Sequence, residues 1–132
     1  MTASEMPAAK DTAETIGLFN EAFRRRDKDA LAALVHEDCL MVSAQPVPDG
    51  TAYVGKEACV AFWGEMMEDE STTFEVQHVL TDGDWAAVRW RYRFGPTDAE
   101  SVLGVNVTRV SGGRVIEQLG YTKTPGGLPL PE

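Results

Sequence analysis

Long apolar runs, clustered cysteines and an excess of positive charge are all missing from this chain of 132 residues. No stretch is long and apolar enough to cross a bilayer as a helix, and residues 1 to 10 lack the basic-then-apolar pattern of a secretory leader. The expected location is therefore the cytoplasm. The two cysteines, Cys39 and Cys59, have neither Cys-x-x-Cys spacing nor a companion histidine cluster, which excludes the usual zinc patterns; no metal and no cofactor are expected. Both read as small buried apolar side chains, reduced by default inside a cell, with a disulfide between them left open. Twelve basic residues stand against 21 acidic ones, a net charge of −9, so nucleic acid and anionic membranes would be repelled. The one basic run, Arg24-Arg25-Arg26, reads as a solvated helix C-terminus, where the helix dipole favours cations.

What is present is ordinary globular composition, 43% hydrophobic and 25% charged, without repeats or a second domain. Residues 1–10 are small, polar and broken by Pro7, which suggests a mobile lead-in; 11–124 form the domain. Residues 125–132 are a Pro- and Gly-rich tail, free or lying across a neighbour. A helix starts near Asp11, with Ile16, Phe19 and Phe23 at i, i+3 and i+7 on one stripe. Asp27-Lys28-Asp29 breaks it, and Asp29 is a fitting N-cap for a short helix over Ala30 to Val35. His36-Glu37-Asp38 ends that helix, with His36 and Asp38 exposed or capping, and Cys39 to Ser43 reads as a short strand. Ala44 to Val54, with Pro46, Pro48 and Asp49-Gly50, is a loop overhanging whatever lies beneath. Gly55 starts a third helix whose apolar side holds Cys59, Phe62, Trp63, Met66 and Met67.

Four strands follow between Phe74 and Lys123, punctuated by Asp82-Gly83, by Gly95-Pro96-Thr97-Asp98 and by Ser111-Gly112-Gly113. In the clearest of them Val88, Trp90, Tyr92 and Phe94 alternate with Arg89, Arg91 and Arg93, one set on each face of an extended chain. The strands over 102–110 and 114–123 each carry one amide among apolar residues, Asn106 and Gln118. Together these elements predict an α+β cone: a strongly curved antiparallel sheet, wrapped by three helices from the first half of the chain and enclosing a pocket.

This order resembles the nuclear-transport-factor-2-like superfamily, in particular its SnoaL-like and ketosteroid-isomerase-like branches. The resemblance runs from about Thr15 to Lys123. It is carried by Phe19-Asn20-Glu21-Ala22-Phe23, Ala30-Leu31-Ala32-Ala33-Leu34-Val35-His36-Glu37-Asp38, Gly55-Lys56-Glu57-Ala58, Asp82-Gly83-Asp84 and Ser111-Gly112-Gly113-Arg114-Val115-Ile116. It implies a cavity protein doing cofactor-independent acid/base chemistry. Ketosteroid isomerases use a carboxylate base with a Tyr and a protonated Asp. Those three positions fall here on Ser43, Phe19 and Asn106, so true ketosteroid isomerase activity is not implied. Asn106 keeps a hydrogen-bond donor for a developing oxyanion. An Asp-Arg-Asp arrangement like that of limonene-epoxide hydrolases has no matching Asp pair around Arg89 and Arg91.

His78 is the candidate catalytic base, because Phe74, Val76, His78 and Leu80 share one strand face if the alternation is unbroken. A slip of one residue would turn it outward. Trp63, Trp90, Tyr92, Asn106 and Gln118 are the candidate substrate-binding residues, two amides in an apolar cup being suited to a neutral, oxygen-bearing molecule. Two readings stay open: a SnoaL-like cyclase or isomerase acting on a hydrophobic small molecule, and a non-catalytic binding or dimerisation module of the same fold. Leu103, Val105, Val107, Leu119 and Tyr121 fall on the opposite sheet face, which predicts a homodimer packed through it, with Arg89, Arg91 and Arg93 at or near the contact.

Overall fold

The computed structural model describes residues 11–44 and 49–123. The expected lead-in and tail, and the centre of the overhanging loop, lie outside those residues. Asp11 opens helix α1 (Thr12–Arg24) by accepting a hydrogen bond from Glu14 N at 2.7 Å. The helix buries Thr15, Ile16, Phe19 and Ala22 and leaves Glu14, Glu21, Arg24 and Arg25 in solvent. Asp27, not Asp29, caps α2 (Lys28–Ala33), its carboxylate accepting from Ala30 N at 3.0 Å. The short helix also ends earlier than its apolar pattern suggests. Val35 leaves it to open strand β1 (Val35–Ser43), where it pairs with Val115 and both become fully buried. Six residues of helix are too few to resist that packing.

Part of the expected loop is strand: β2 (Thr51–Val54) pairs antiparallel with β1. Gly55, at φ 91, then turns the chain into α3 (Lys56–Glu68), a backbone conformation that residues with a Cβ rarely adopt. Strands β3 (Thr73–Asp82), β4 (Trp85–Arg93), β5 (Ser101–Ser111) and β6 (Arg114–Thr122) complete a six-stranded sheet in the order β2-β1-β6-β5-β4-β3. All neighbours are antiparallel except β1 and β6, which run parallel. The sheet curves without closing and the three helices cover its concave side. No helix among the described residues is long and apolar enough to cross a membrane.

Register decides which side chains see the inside. β4 and β5 pair without interruption from Trp85↔Arg109 to Arg93↔Ser101, so Val88, Trp90 and Tyr92 share the concave face with Asn106, Gly104 and Val102. Between β5 and β6, Thr108↔Gln118 and Asn106↔Gly120 put Gln118 on that face too. The β3–β4 ladder behaves differently. It runs Phe74↔Tyr92 and Val76↔Trp90, then shifts so that His78 lies opposite Arg89. Gln77 is the extra residue of a β-bulge, and beyond it every side chain of β3 changes face. His78 therefore points to the convex side and is exposed, and Val79 takes the inward position.

The core holds the narrow end of the cone. Phe19, Leu31, Leu34, Val35, Cys39, Cys59, Trp63, Met67 and Val115 pack there in one cluster, and Ile16 with Ala86, Val88 and Val110 forms a second. Arg26 locks the corner between α1 and β3. It is in the left-handed region at φ 57, a strained place for a side chain. Its guanidinium offsets that strain by donating to the carbonyls of Met67 at 2.6 Å, Asp69 at 3.1 Å and Thr72 at 2.7 Å. The arginine run is thus divided: Arg24 and Arg25 are solvated as expected, and Arg26 turns in. Replacing Arg26 by Ala removes three charge-assisted bonds and should lower unfolding free energy by about 2 kcal/mol, against under about 0.5 kcal/mol for Arg24→Ala, both read from urea denaturation midpoints.

Candidate functional site

The concave face and the helices enclose a cavity of about 1210 Å³. Its floor is sheet: Val88, Trp90 and Tyr92 from β4, Val102 and Asn106 from β5, Gln118, Gly120 and Thr122 from β6. Its roof is helix: Phe19, Asn20 and Phe23 from α1, with Phe62, Trp63 and Met66 from α3. All five candidate binding residues, Trp63, Trp90, Tyr92, Asn106 and Gln118, line this one space. His78 does not. The bulge at Gln77 removes the geometric basis for assigning it as the base of this cavity.

Aromatic rings brace one another around the space. Phe74 stands edge-on to Trp90 at 5.1 Å and to Phe23 at 5.5 Å, and lies tilted at 4.7 Å from Tyr92. Phe19 meets Trp63 edge-on at 5.1 Å across the roof, and Tyr53 packs against Phe62 at 4.6 Å. Such pairs resist collapse of the hollow. Trp63 is only 3% exposed, so it is core and lining at once.

The polar groups are few and unequal. Gln118 is held: its Oε1 accepts from the buried Thr108 hydroxyl at 3.3 Å, which leaves the NH₂ group to donate. Asn106 makes no side-chain hydrogen bond among the described residues and is half-buried, so its amide remains available to an incoming group. Glu21 places a carboxylate at the rim, exposed and engaged by Arg24 at 2.5 Å, whereas the Glu75 carboxylate, opposite Arg91 in the ladder, lies on the convex side with Arg93 at 2.6 Å. The Arg24 hydrogen bond holds the Glu21 carboxyl below the usual carboxylate range. A carboxylate so paired is a weaker base. Asp49, in the turn before β2, is exposed and is not among the lining residues.

Cys39 and Cys59 are buried free thiols against the roof. Cys59 Sγ donates to the carbonyls of Tyr53 at 3.4 Å and Cys39 at 3.5 Å. Burial pushes both thiols up, so neither is a nucleophile near neutral pH. Among the described residues no group of three or more His, Cys, Asp or Glu could hold a metal ion.

The sequence matches the SnoaL-like domain over residues 17–118, a span that runs from within α1 to within β6. The chain belongs to the SnoaL-like family. This SnoaL-like domain is similar to an NTF2-like protein of unknown function from Mesorhizobium loti, with 36% identity over 90% of this chain and 96% of that one, at a TM-score of 0.79. It shares its fold with a candidate ketosteroid isomerase from Kribbella flavida (22% identity, 91% and 83% of the two chains, TM-score 0.77). A candidate polyketide cyclase from Sinorhizobium meliloti is similar as well (19% identity, 92% and 100%, TM-score 0.68). No curated protein matches.

Phe74, placed on the inward face of its strand by the sequence, proves to be the hub of the aromatic wall, and the sequence reading passed over Gly104 and Gly120, inward-facing glycines inside strands. An isolated Gly in a strand is a sign of close backbone approach, and that signal was available. The two amides differ in a way that stability can detect. Gln118→Leu strands the hydroxyl of Thr108, 1% exposed, and should cost about 1 to 2 kcal/mol. Asn106→Leu removes no partner and should leave stability unchanged within about 0.5 kcal/mol, or raise it, by chemical denaturation.

Proposed function

We propose that the cone is a binding site for a neutral, hydrophobic, oxygen-bearing small molecule, acting without cofactor in the manner of SnoaL-like cyclases and isomerases. The observation that carries this is the Asn106 amide, without a partner among the described residues, on the same face as Gln118 in a space largely walled by aromatic rings. An amide N–H aimed at a ligand oxygen would orient a carbonyl and stabilise negative charge developing on it. The phenols of Tyr53 and Tyr92 are the lining groups able to pass a proton. Anionic ligands are disfavoured, since the protein carries −9 overall and the cavity interior offers no free cation among the described residues.

The second reading, a binding module without turnover, is favoured by one specific feature: the rim carboxylate of Glu21 is tied to Arg24, and Glu75 and His78 both face the other way. A substrate that supplied its own acidic proton would need little from the protein but positioning. Ketosteroid isomerase chemistry, which needs a carboxylate base, is not what Ser43, Phe19 and Asn106 support.

The convex face is proposed as the contact of a homodimer. Leu103, Val105, Val107 and Leu119 are half-buried there, and Leu80, Trp85 and Tyr121 are 57%, 40% and 54% exposed. The neighbouring arginines are largely prepared for burial. Arg91 donates to Ser101 Oγ at 2.7 Å, Arg93 bridges Glu75 and Asp98, and Arg109 pairs with Glu117 while lying over Trp85 at 5.7 Å. Satisfied charges cost less to cover than orphaned ones. Val105→Lys should shift sedimentation from dimer to monomer while leaving the circular dichroism spectrum unchanged; a monomeric wild type would sink this contact.

Calorimetric titration with a naphthol, a neutral fused-ring alcohol, tests the cavity. Asn106→Leu should weaken binding about tenfold and His78→Gln less than about twofold. No heat with the wild-type protein, or equal losses in the two variants, would overturn the proposal.

A further inference from the structure

We infer that the height of the cavity, and with it the ring count of the ligand it takes, is set by the Trp90 indole seated on Gly104. This rests on the proposal that the cone binds a small molecule. Gly104 lies within regular strand pairing, opposite Trp90 on β4 and Thr122 on β6. Its backbone has no positive φ, so conformational freedom does not explain a glycine there. Space does. A Cβ at position 104 would come within 2.3 Å of both Cζ2 and Cη2 of Trp90 and 2.6 Å of the Tyr121 carbonyl oxygen. The six-membered ring of the indole therefore sits directly over bare backbone, in space that any side chain at 104 would fill.

Nothing polar anchors the indole in that position. Its Nε1 is buried and has no acceptor among the described residues, so packing alone holds it. The packing is one-sided. Phe74 blocks the ring from the β3 side at 5.1 Å, and Phe74 is itself wedged between Phe23 and Tyr92. Strand β5 lies beneath. Ordinary contact begins at 3.4 Å, so a methyl group at 104 would require the Tyr121 carbonyl to give by about 0.8 Å and the ring to retreat by about 1 Å, and the direction left to the ring is up into the hollow. There it approaches Phe19 and Trp63 in the roof, narrowing the slot in which a flat ligand would lie. Gly104 is a specificity-determining residue that acts through Trp90 without touching the ligand's polar groups.

Two changes should move selectivity in opposite directions. The probes are a two-ring naphthol and a three-ring phenanthrol, and the quantity read is the ratio of their dissociation constants by titration calorimetry. Trp90→Phe lowers the shelf and should shift the ratio about tenfold toward the phenanthrol; Gly104→Ala raises it and should shift the ratio about tenfold toward the naphthol. Lost stacking on the indole affects both probes and cancels in the ratio. Shifts of the same sign, or none, with both probes bound by the wild type overturn this inference and leave the binding proposal intact. Binding of neither probe by the wild type overturns both. Should Gly104→Ala fail to fold, Trp90→Phe decides alone: a ratio unchanged or shifted toward the naphthol is fatal.

Discussion

The uninterrupted pairing of β4 with β5 is the constraint on which the molecule depends. Nine consecutive partners, Trp85↔Arg109 through Arg93↔Ser101, hold the two strands in one register. That register sends Val88, Trp90, Tyr92, Gly104 and Asn106 to the concave side and the arginines of β4 to the convex side. A slip of one residue would turn one strand over against the other, either burying Arg89 and Arg91 against Phe74 or sending Asn106 to the outside. The cavity, its donors and the apolar outer face are consequences of the same ladder.

Polar groups inside are distributed with economy. The buried Thr108 hydroxyl is satisfied by Gln118 Oε1, where an unmade hydrogen bond would be costly, and the Gln118 NH₂ is left facing the cavity. Asn106, one pleat nearer the mouth, is left without a partner among the described residues. Glu21 at the rim is engaged by Arg24 and Glu75 is turned to the convex side with Arg93, which keeps negative charge from reaching into the apolar space. Such an interior favours orientation and hydrogen-bond donation over abstraction of an unactivated proton.

Some stability is surrendered for this hollow. A strand glycine at 104 forgoes side-chain packing and a buried indole N–H goes unpartnered. Arg26 illustrates the opposite exchange, where a strained backbone is kept because its side chain ties three carbonyls of the α3–β3 connection. Rigid corners and a braced aromatic wall let the middle of the cone stay open.

Much of this was legible in the residues. Alternation in β4 announced its two faces, Asp11 and Gly55 marked helix starts, and the turn residues bounded each strand, because these are local preferences of backbone and solvent. The amides Asn106 and Gln118 could be assigned to one space because period-two alternation carries across an unbroken ladder. His78 could not be placed correctly. A bulge is decided by how β3 must bend against β4, which no residue of β3 declares alone. Val35 likewise left its helix only because Val115 awaited it across the sheet. The sequence by itself determined the long helices, the four strands after Thr72, the faces of β4, β5 and β6 and the apolar character of the cup, since these follow from spacing along the chain. The tertiary structure alone decided where the ladder slips, which amide is paired and how low Trp90 lies, since each depends on the distance between strands that only folding brings together.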